Sequence, residues 1–297
     1  ISIGVAGYVE MRSCYNNLSS AKDRYYAQCR MADFSVDVKK APISDMAAIA
    51  GLSNIVEIRP RIAFFATVDL ENQPELLNAQ ILSLPDERKT SVNDIVLKRG
   101  SYFSASRDNE VIVSDAFARK HRLGPGQWIH LIMNNRRQEL FIVGTAISSE
   151  FVYLVGPGAI TPDPKHFGVF YLKQRYAEEV FNFEGAANQL LARVSPDARE
   201  HVDILMRRAE TMLADYGVLT TTARKDQPSN RFITEEIEGL ATFSRIMPTI
   251  FLLVAALVLN VLMTRMAEQQ RTVVGTLKAI GYGDGQLFWH FIKFGLF

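Results

Sequence analysis

The stretch Ile246-Met-Pro-Thr-Ile-Phe-Leu-Leu-Val-Ala-Ala-Leu-Val-Leu-Asn-Val-Leu-Met-Thr264 contains 19 consecutive residues without a charged side chain. As a helix it would be about 28 Å long, close to the hydrocarbon thickness of a bilayer, about 30 Å. Arg245 and Arg265 bracket it and can reach the two interfaces. The pattern therefore predicts a membrane span over 246–264 with Pro248 in its first turn; the alternative is a core helix of a soluble protein.

Asn260 is the strongly polar side chain at depth in this span. An amide that faces lipid is costly, so we expect Asn260 to pack against another helix. The following segment, 265–286, has three basic residues, and the twenty residues before the span have two. Together with the large polar region 10–245, this charge balance predicts a cytoplasmic 265–286 and an outer polar region.

Composition limits the classes of protein to consider. A chain of 297 residues is near the upper size of one domain, which indicates two or three units. The 33 basic and 32 acidic residues leave a net charge of +1, which argues against a nucleic-acid partner. The two cysteines, Cys14 and Cys29, are too few for a disulfide scaffold, and we expect both to be free thiols without an assigned role.

The outer region predicts an α+β fold. Residues 10–31 have a helical pattern, and the apolar start of the chain extends it, so 1–31 is expected to end a first membrane helix and continue outward. The alternative is an ordinary buried first helix. Within 32–228 helices and strands alternate, and Asn134-Asn135 is typical of a hairpin turn between Trp128–Met133 and Glu139–Val143. We expect a mixed α/β lobe with an inserted, mostly β lobe at about 85–165, and a long helix over 229–264 that includes the span.

No stretch predicts catalysis. The sequence has no P-loop, no G-x-S-x-G and no H-E-x-x-H motif, and its five histidines are scattered. We therefore expect no catalytic, cofactor-binding or metal-binding residue in this chain.

The segment after the span predicts a short amphipathic helix. Val273, Leu277 and Ile280 would share one helix face, while Glu268 and Arg271 are spaced to pair on its surface. Gly275 in a helix interior costs about 1 kcal/mol relative to Ala, which close approach of a neighbour would explain. Gly281 is placed to end the helix. The alternative is a helix that only lies on the membrane surface.

The run Glu268-x-x-Arg271-x-x-x-Gly275-x-Leu277-Lys278-Ala279-Ile280-Gly281 resembles the signature of the FtsX-like permeases of ABC transporters, of the MacB, LolC and LolE type. That signature has the form E-x-R-x-x-I/V-G-x-L-R/K-A-L/I-G. This sequence departs from it by one extra residue between Glu268 and Arg271, and by Val274 where Ile is usual. The stretches 110–118 and 123–129 also resemble the outer domain of the family, so the resemblance covers most of the chain.

The resemblance implies a permease that begins within its first membrane helix and stops within its third, 287–297. It implies a MacB-like periplasmic or extracellular domain and a cytoplasmic coupling helix, with the coupling residues Glu268, Arg271, Gly275, Leu277, Lys278 and Gly281. The implied partners are an ABC-type ATPase subunit that hydrolyses ATP, membrane lipid, and a second copy or a homologous permease. The implied location is the inner (plasma) membrane.

The resemblance also implies the function, which is to transmit ATP-driven motion to the outer domain for export or for lipoprotein or peptide extrusion. Two alternatives stay open at this stage. One is a non-transporting scaffold that activates an extracytoplasmic hydrolase, and the other is a membrane-anchored sensor domain.

Overall fold

The computed structural model describes residues 2–70 and 77–289. The chain divides into two compact units, Ser20–Glu235 on the one hand and Ile1–Ser19 with Glu236–Phe297 on the other. In chain order the helices and strands are α1 (Ser2–Gln28), β1 (Phe34–Pro42), α2 (Ile43–Ala47), β2 (Ile55–Arg61), β3 (Ala63–Asp69), β4 (Leu77–Leu84), β5 (Ile95–Gly100), β6 (Glu110–Ser114), α3 (Asp115–Lys120), β7 (Trp128–Met133), β8 (Arg136–Ser148), β9 (Phe167–Lys173), α4 (Gln174–Phe181), β10 (Ala186–Val194), α5 (Val202–Met212), β11 (Val218–Ala223), α6 (Pro228–Gln269) and α7 (Arg271–Ala279). The predicted third membrane helix, 287–297, lies outside the described residues from 290 onward.

Four strands form an antiparallel sheet in the order β11, β1, β10, β2. Alternate residues of β1, namely Phe34, Val36 and Val38, are buried in one apolar cluster with side chains of α2 and α5. Because side chains alternate along a strand, Ser35 and Asp37 belong to the other face of this sheet, which is polar. Pro60 lies in β2 at the edge of the sheet, where the missing N–H removes no ladder bond.

A second sheet of seven strands closes on itself. Its order is β5, β8, β6, β9, β4, β3, β7, and β7 pairs again with β8. Six strands therefore form a closed barrel, and β5 pairs only with the last part of β8. The largest apolar cluster takes buried side chains from all six barrel strands and from α3. Closure protects these strands from edge-to-edge pairing with other chains, because a barrel has no free edge within the ring.

Helix α1 ends in a left-handed turn at Arg30, whose φ is 52°. The backbone N–H of Met31 donates to the carbonyl of Tyr26 at 2.9 Å, and that of Arg30 donates to Ala27 at 3.1 Å, which is the Schellman pattern. The Arg30 guanidinium then donates to Glu57 Oε2 at 2.6 and 3.0 Å. The two cysteines are free thiols, as predicted, with Cys14 exposed and Cys29 buried.

The α+β fold class is confirmed, and so is the hairpin. β7 and β8 pair from Trp128↔Phe141 to Met133↔Arg136, and Asn134 and Asn135 have φ values of 47° and 57°. Consecutive positive φ values are those of a type I′ turn, whose twist matches the strands on either side.

The structure differs from the sequence analysis in the extent of the inserted lobe. The seven-stranded sheet draws strands from Ala63 to Lys173, whereas about 85–165 was expected. The reason is non-local pairing: β4 pairs in parallel with β9, which returns to the barrel after nearly ninety residues. Two 3₁₀ turns, Pro196–His201 and Ala214–Tyr216, flank α5.

Candidate functional site

The predicted span lies within α6, a helix of 42 residues from Pro228 to Gln269. Pro248 lies in the first turn of the predicted span but in the interior of the helix, because the polar residues from 228 to 245 belong to the same helix. Pro248 therefore lacks an N–H within the helix interior and cannot bond the carbonyl of Ser244. The Ser244 hydroxyl is buried and donates to the Ala241 carbonyl at 2.7 Å.

Most of the apolar part of α6 is exposed. Leu253 is 61 % exposed and Leu257 is 68 % exposed, although a soluble protein would bury such side chains. Other large apolar side chains of the same stretch are also exposed, namely Ile246, Met247, Ile250, Phe251, Leu252, Val254, Val258, Val261 and Leu262. The helix is long and apolar enough to cross a membrane. An all-round apolar surface of this length is typical of a span and not of a core helix.

Asn260 is exposed on this helix. Its backbone carbonyl accepts a hydrogen bond from the Thr264 hydroxyl at 2.9 Å. Among the residues that the structure describes, no side chain hydrogen-bonds the Asn260 amide group. Its expected role in helix packing stays a prediction, and the partner would have to come from outside these residues.

The segment after the span forms its own helix. α6 ends at Gln269 and α7 begins at Arg271, so Glu268 and Arg271 lie on different helices. The expected surface pair between them is not formed among the described side chains, because the i, i+3 spacing brings residues together only within one helix. The backbone N–H of Val274 still bonds the Gln270 carbonyl at 2.9 Å, so α7 follows directly.

One face of α7 has no cover within the described residues. Val273 is 56 % exposed, Ile280 is 71 % exposed, and Leu277 is only partly buried. A Cβ added at Gly275 would meet no atom within 4 Å. The close neighbour expected from this glycine is therefore not supplied by the residues that the structure describes, and among them this surface is open to a lipid or a partner.

Gly281 ends this helical segment, as the sequence predicts. Its φ is 104°, its N–H donates to the Lys278 carbonyl at 3.0 Å, and the N–H of Tyr282 donates to Leu277 at 3.1 Å. These two bonds form a Schellman motif, which favours glycine at the left-handed position. The Lys278 ammonium pairs with Asp284 across this turn.

The other end of α6 lies within the unit Ser20–Glu235 and is firmly held there. Gln227 Oε1 accepts from the N–H of Asn230 at 2.7 Å and so caps the first turn, with Pro228 at the first helical position. The Ser229 hydroxyl accepts from the N–H of Tyr153 at 3.0 Å. The rings of Tyr153 and Phe232 make an edge contact at 4.7 Å. Residues between β8 and β9 therefore hold the base of α6.

A buried ion pair joins the same connection to the four-stranded sheet. Arg61 Nη1 and Nη2 each donate to a Glu150 carboxylate oxygen at 2.7 Å, and both side chains are nearly fully buried. The Glu150 carbonyl accepts from Gln227 Nε2 at 2.5 Å. Glu150 therefore contacts the sheet through its side chain and the base of α6 through its backbone.

Arg59 provides a second buried cation at this junction. Its guanidinium donates to the carbonyls of Val92 and Ser83 at 2.8 and 2.5 Å. Burial, together with the neighbouring Arg61 charge, lowers the pKa of Arg59 to about 10, while the Glu150 charge opposes the shift. Arg59 still remains charged at neutral pH. Within residues 2–70 and 77–289, no group of three or more His, Cys, Asp or Glu side chains is placed to hold a metal ion.

These features define a membrane protein in which an α+β domain precedes a long apolar helix. Residues 245–297 match the family described as FtsX-like permease C-terminal. The C-terminal region of the chain is therefore similar to that of the FtsX-like permeases. No curated protein matches the chain significantly.

Two solved structures are similar to the chain at low sequence identity. The extracellular domain of the noncanonic ABC-type transporter YknZ from Gram-positive bacteria is 12 % identical, with a TM-score of 0.40, over 61 % of this chain and 90 % of that one. The periplasmic region of MacB from Actinobacillus actinomycetemcomitans is 12 % identical, with a TM-score of 0.40, over 69 % of this chain and 92 % of that one.

Sequence reasoning missed the junction residues Arg61, Glu150 and Gln227. The available signal was the spacing of two arginines, Arg59 and Arg61, at i and i+2 in a short strand. Side chains at this spacing share one face of a sheet, and two guanidinium groups on one face require acceptors. The spacing does not say which acceptors, because Glu150 is 89 residues away.

Proposed function

We propose that the chain is the permease subunit of an ABC transporter of the FtsX/MacB type. In this proposal residues 265–286 dock on a separate ATPase subunit in the cytoplasm, and α6 transmits the motion of the ATPase to the domain 32–228 outside. The output is export, or extrusion of a lipoprotein or peptide. The observation on which the proposal depends is the family match of residues 245–297.

The continuity of α6 supports transmission. A helix of 42 residues is about 63 Å long, roughly twice the hydrocarbon thickness of a bilayer. Its first turn is held by the β8–β9 connection through Ser229 and Phe232. Displacement of α6 along its axis would therefore act on residues of the barrel lobe and not on a free linker.

The open surface of α7 supports docking. Its apolar side chains are exposed, and Gly275 has room for a close approach by another molecule. We expect Glu268, Arg271 and Lys278 to contribute charge to this contact and Leu277 to contribute apolar surface. We further expect ATP hydrolysis to take place in the partner, since this sequence has no P-loop.

The proposal also assigns the contacts of the span within the membrane. The apolar surface of the span contacts lipid, and Asn260 packs against a helix of a second permease copy or a homologous permease. We place the protein in the inner (plasma) membrane with residues 32–228 on its outer side.

The test uses co-purification of the full chain with its ATPase and measurement of stimulated ATP hydrolysis. Gly275→Leu inserts a bulky side chain at the docking surface, and Glu268→Lys reverses a surface charge. We expect both variants to insert and fold normally, and to lose co-purification and stimulation together.

Two control variants make the same chemical changes near the N-terminal end of α6. Gly239→Leu fills a glycine that also has nothing within 4 Å, and Glu235→Lys reverses an exposed carboxylate near the base of the helix. We expect both controls to keep the ATPase bound. A helix that merely lies on anionic lipid would leave Glu268→Lys silent or slightly favourable, since added basic charge favours such a surface. Undiminished co-purification in both test variants would remove the docking role of α7.

A further inference from the structure

A cleft of about 300 Å³ lies within the unit Ser20–Glu235. One wall is the polar face of the four-stranded sheet, and the other includes Phe65 and Gln80, which are paired neighbours on β3 and β4 of the barrel. The base of α6, Phe151, Tyr153 and residues 155–159 complete the lining. The cleft thus brings together both sheets and the first residues of the long helix.

The sheet wall contains a row of side chains in register across three strands. Asp37 of β1 lies opposite Gln189 of β10, which lies opposite Arg61 of β2. Gln189 Nε2 donates to Asp37 Oδ1, and Arg61 Nε donates to Gln189 Oε1 at 2.5 Å. Glu150 completes the row through its two bonds to Arg61.

Among the side chains that line the cleft, Asp37 and Glu150 contribute two negative charges and Arg61 contributes one positive charge. Arg59 does not line the cleft, but its buried positive charge interacts with Glu150 and Arg61. Both Glu150 oxygens are occupied by Arg61, whereas Asp37 Oδ2 has no hydrogen-bond partner among the described residues. Burial raises the pKa of Asp37, the Glu150 charge adds to that rise, and Gln189 and Arg61 oppose it.

Neutral polar side chains line the same cleft as this carboxylate. Ser35 lies two residues before Asp37 on the same face of β1, and it is directly opposite Thr222 of β11. Gln80 faces them from the barrel wall. Among the described residues, none of these three side chains has a hydrogen-bond partner. Phe65 is 61 % exposed beside Gln80 and offers an aromatic surface.

We infer that this cleft binds a primary ammonium group, as the free amino terminus or a lysine side chain of a peptide. A primary ammonium has one positive charge and three N–H donors, and no acceptor. One of its donors would bond the unoccupied oxygen of Asp37, and the others would bond the oxygens of Gln80 and of Ser35 or Thr222. The Phe65 ring would contact the apolar atoms next to the ammonium, or its face would attract the ammonium charge.

The two other simple ligand classes fit less well. An anion would add negative charge beside Asp37 and Glu150. A guanidinium has five donors in a planar fork, which suits a carboxylate with two free oxygens, and Asp37 has only one. The inference does not rest on the proposed transport role, because ammonium binding needs neither an ATPase nor a membrane potential.

The experiment is titration calorimetry on the purified full chain in detergent micelles with three short peptides. Ala-Ala-Ala-amide has a free amino terminus, acetyl-Ala-Ala-Lys-amide has only a lysine ammonium, and acetyl-Ala-Ala-Ala-amide has no cation. We expect at least one of the first two to bind, and the fully acetylated peptide to show no binding. The peptide that binds identifies the source of the ammonium.

Variants then test the assigned atoms. Asp37→Asn keeps the oxygen that accepts from Gln189 and removes the charge, and we expect a loss of affinity of about tenfold or more. Gln80→Leu lies on the opposite wall, outside the row, and should weaken binding by about fivefold through the loss of one acceptor. Asp69→Asn removes an exposed carboxylate that pairs with Arg137, and should change nothing. Equal binding of the acetylated peptide, or unchanged affinity in both Asp37→Asn and Gln80→Leu, would overturn the inference.

Discussion

The buried pair of Arg61 and Glu150 permits a quantitative prediction about the stability of the junction. Glu150→Gln keeps the size of the side chain and removes its charge. The change leaves the Arg61 guanidinium, whose side chain is 3 % exposed, with an amide in place of a carboxylate. The backbone bond from Gln227 to residue 150 is unaffected, so the base of α6 keeps that contact.

The magnitude follows from the burial of both partners. Removal of one partner from a buried ion pair costs about 3 to 5 kcal/mol, because the remaining charge is uncompensated. The carbonyl of glutamine can still accept one N–H from Arg61, so we expect the lower end, about 3 kcal/mol. Replacement of both partners, as Arg61→Met with Glu150→Leu, removes the orphaned charge. We expect this double variant within about 1 kcal/mol of the wild type.

The assay is equilibrium unfolding of the full chain in micelles, followed by the fluorescence of Trp128 in a Trp289→Phe background. A matched control is Asp69→Asn, which breaks the pair of Asp69 and Arg137 on the barrel surface at a similar distance, 2.8 Å. Since both of those side chains are well exposed, the control should cost about 1 kcal/mol or less.

A Glu150→Gln variant no less stable than the Asp69→Asn control would refute this reasoning. So would a double variant that is less stable than Glu150→Gln, because the cost would then come from packing and not from the unpaired charge.

Two further predictions concern single positions. Because the pKa of Asp37 is raised in the folded protein, the folded state holds a proton at pH values where the unfolded chain has released it, so stability falls as pH rises through this window. Asp37→Asn should therefore be neutral or stabilising at pH 7, and this advantage should disappear near pH 4, as measured by unfolding at both pH values. In the β7–β8 turn, Asn135 has a φ of 57°. Asn135→Ala should cost about 1 kcal/mol and Asn135→Gly should not, and an equal cost for both would contradict a type I′ turn.

Local patterns predicted several elements correctly. The uncharged run 246–264, the Asn134-Asn135 hairpin and the helix end at Gly281 each depend on residues that are close in sequence. In each case the physical cause is local, namely hydrophobic length, a backbone conformation that asparagine tolerates, or a glycine in the left-handed region. Such causes act before any distant part of the chain is in place.

The features that sequence reasoning missed depend on distant partners. Alternating strands such as β1 and β3 have similar patterns, and nothing local assigns one to the four-stranded sheet and the other to the barrel. The alternating pattern predicts that Asp37 and Arg61 face solvent on half-buried strands. In the structure this face of the sheet contacts the segment between β8 and β9 that contains Glu150. The apolar run begins near Pro248, which places this proline in the first turn of the span. The helix itself begins earlier, because the polar residues before the run are helical as well.

The central claim is that α6 joins an outer domain to a cytoplasmic α7, and cysteine labelling in intact cells tests it most directly. In a Cys14→Ser, Cys29→Ser background, one probe cysteine replaces Asn135 in the β7–β8 turn and another replaces Gly283 after α7. With a membrane-impermeant reagent added from outside, in spheroplasts where an outer membrane is present, this topology predicts labelling at position 135 and protection at position 283 until the membrane is opened. Protection at 135 together with labelling at 283 in intact cells would contradict it and show the inverse topology.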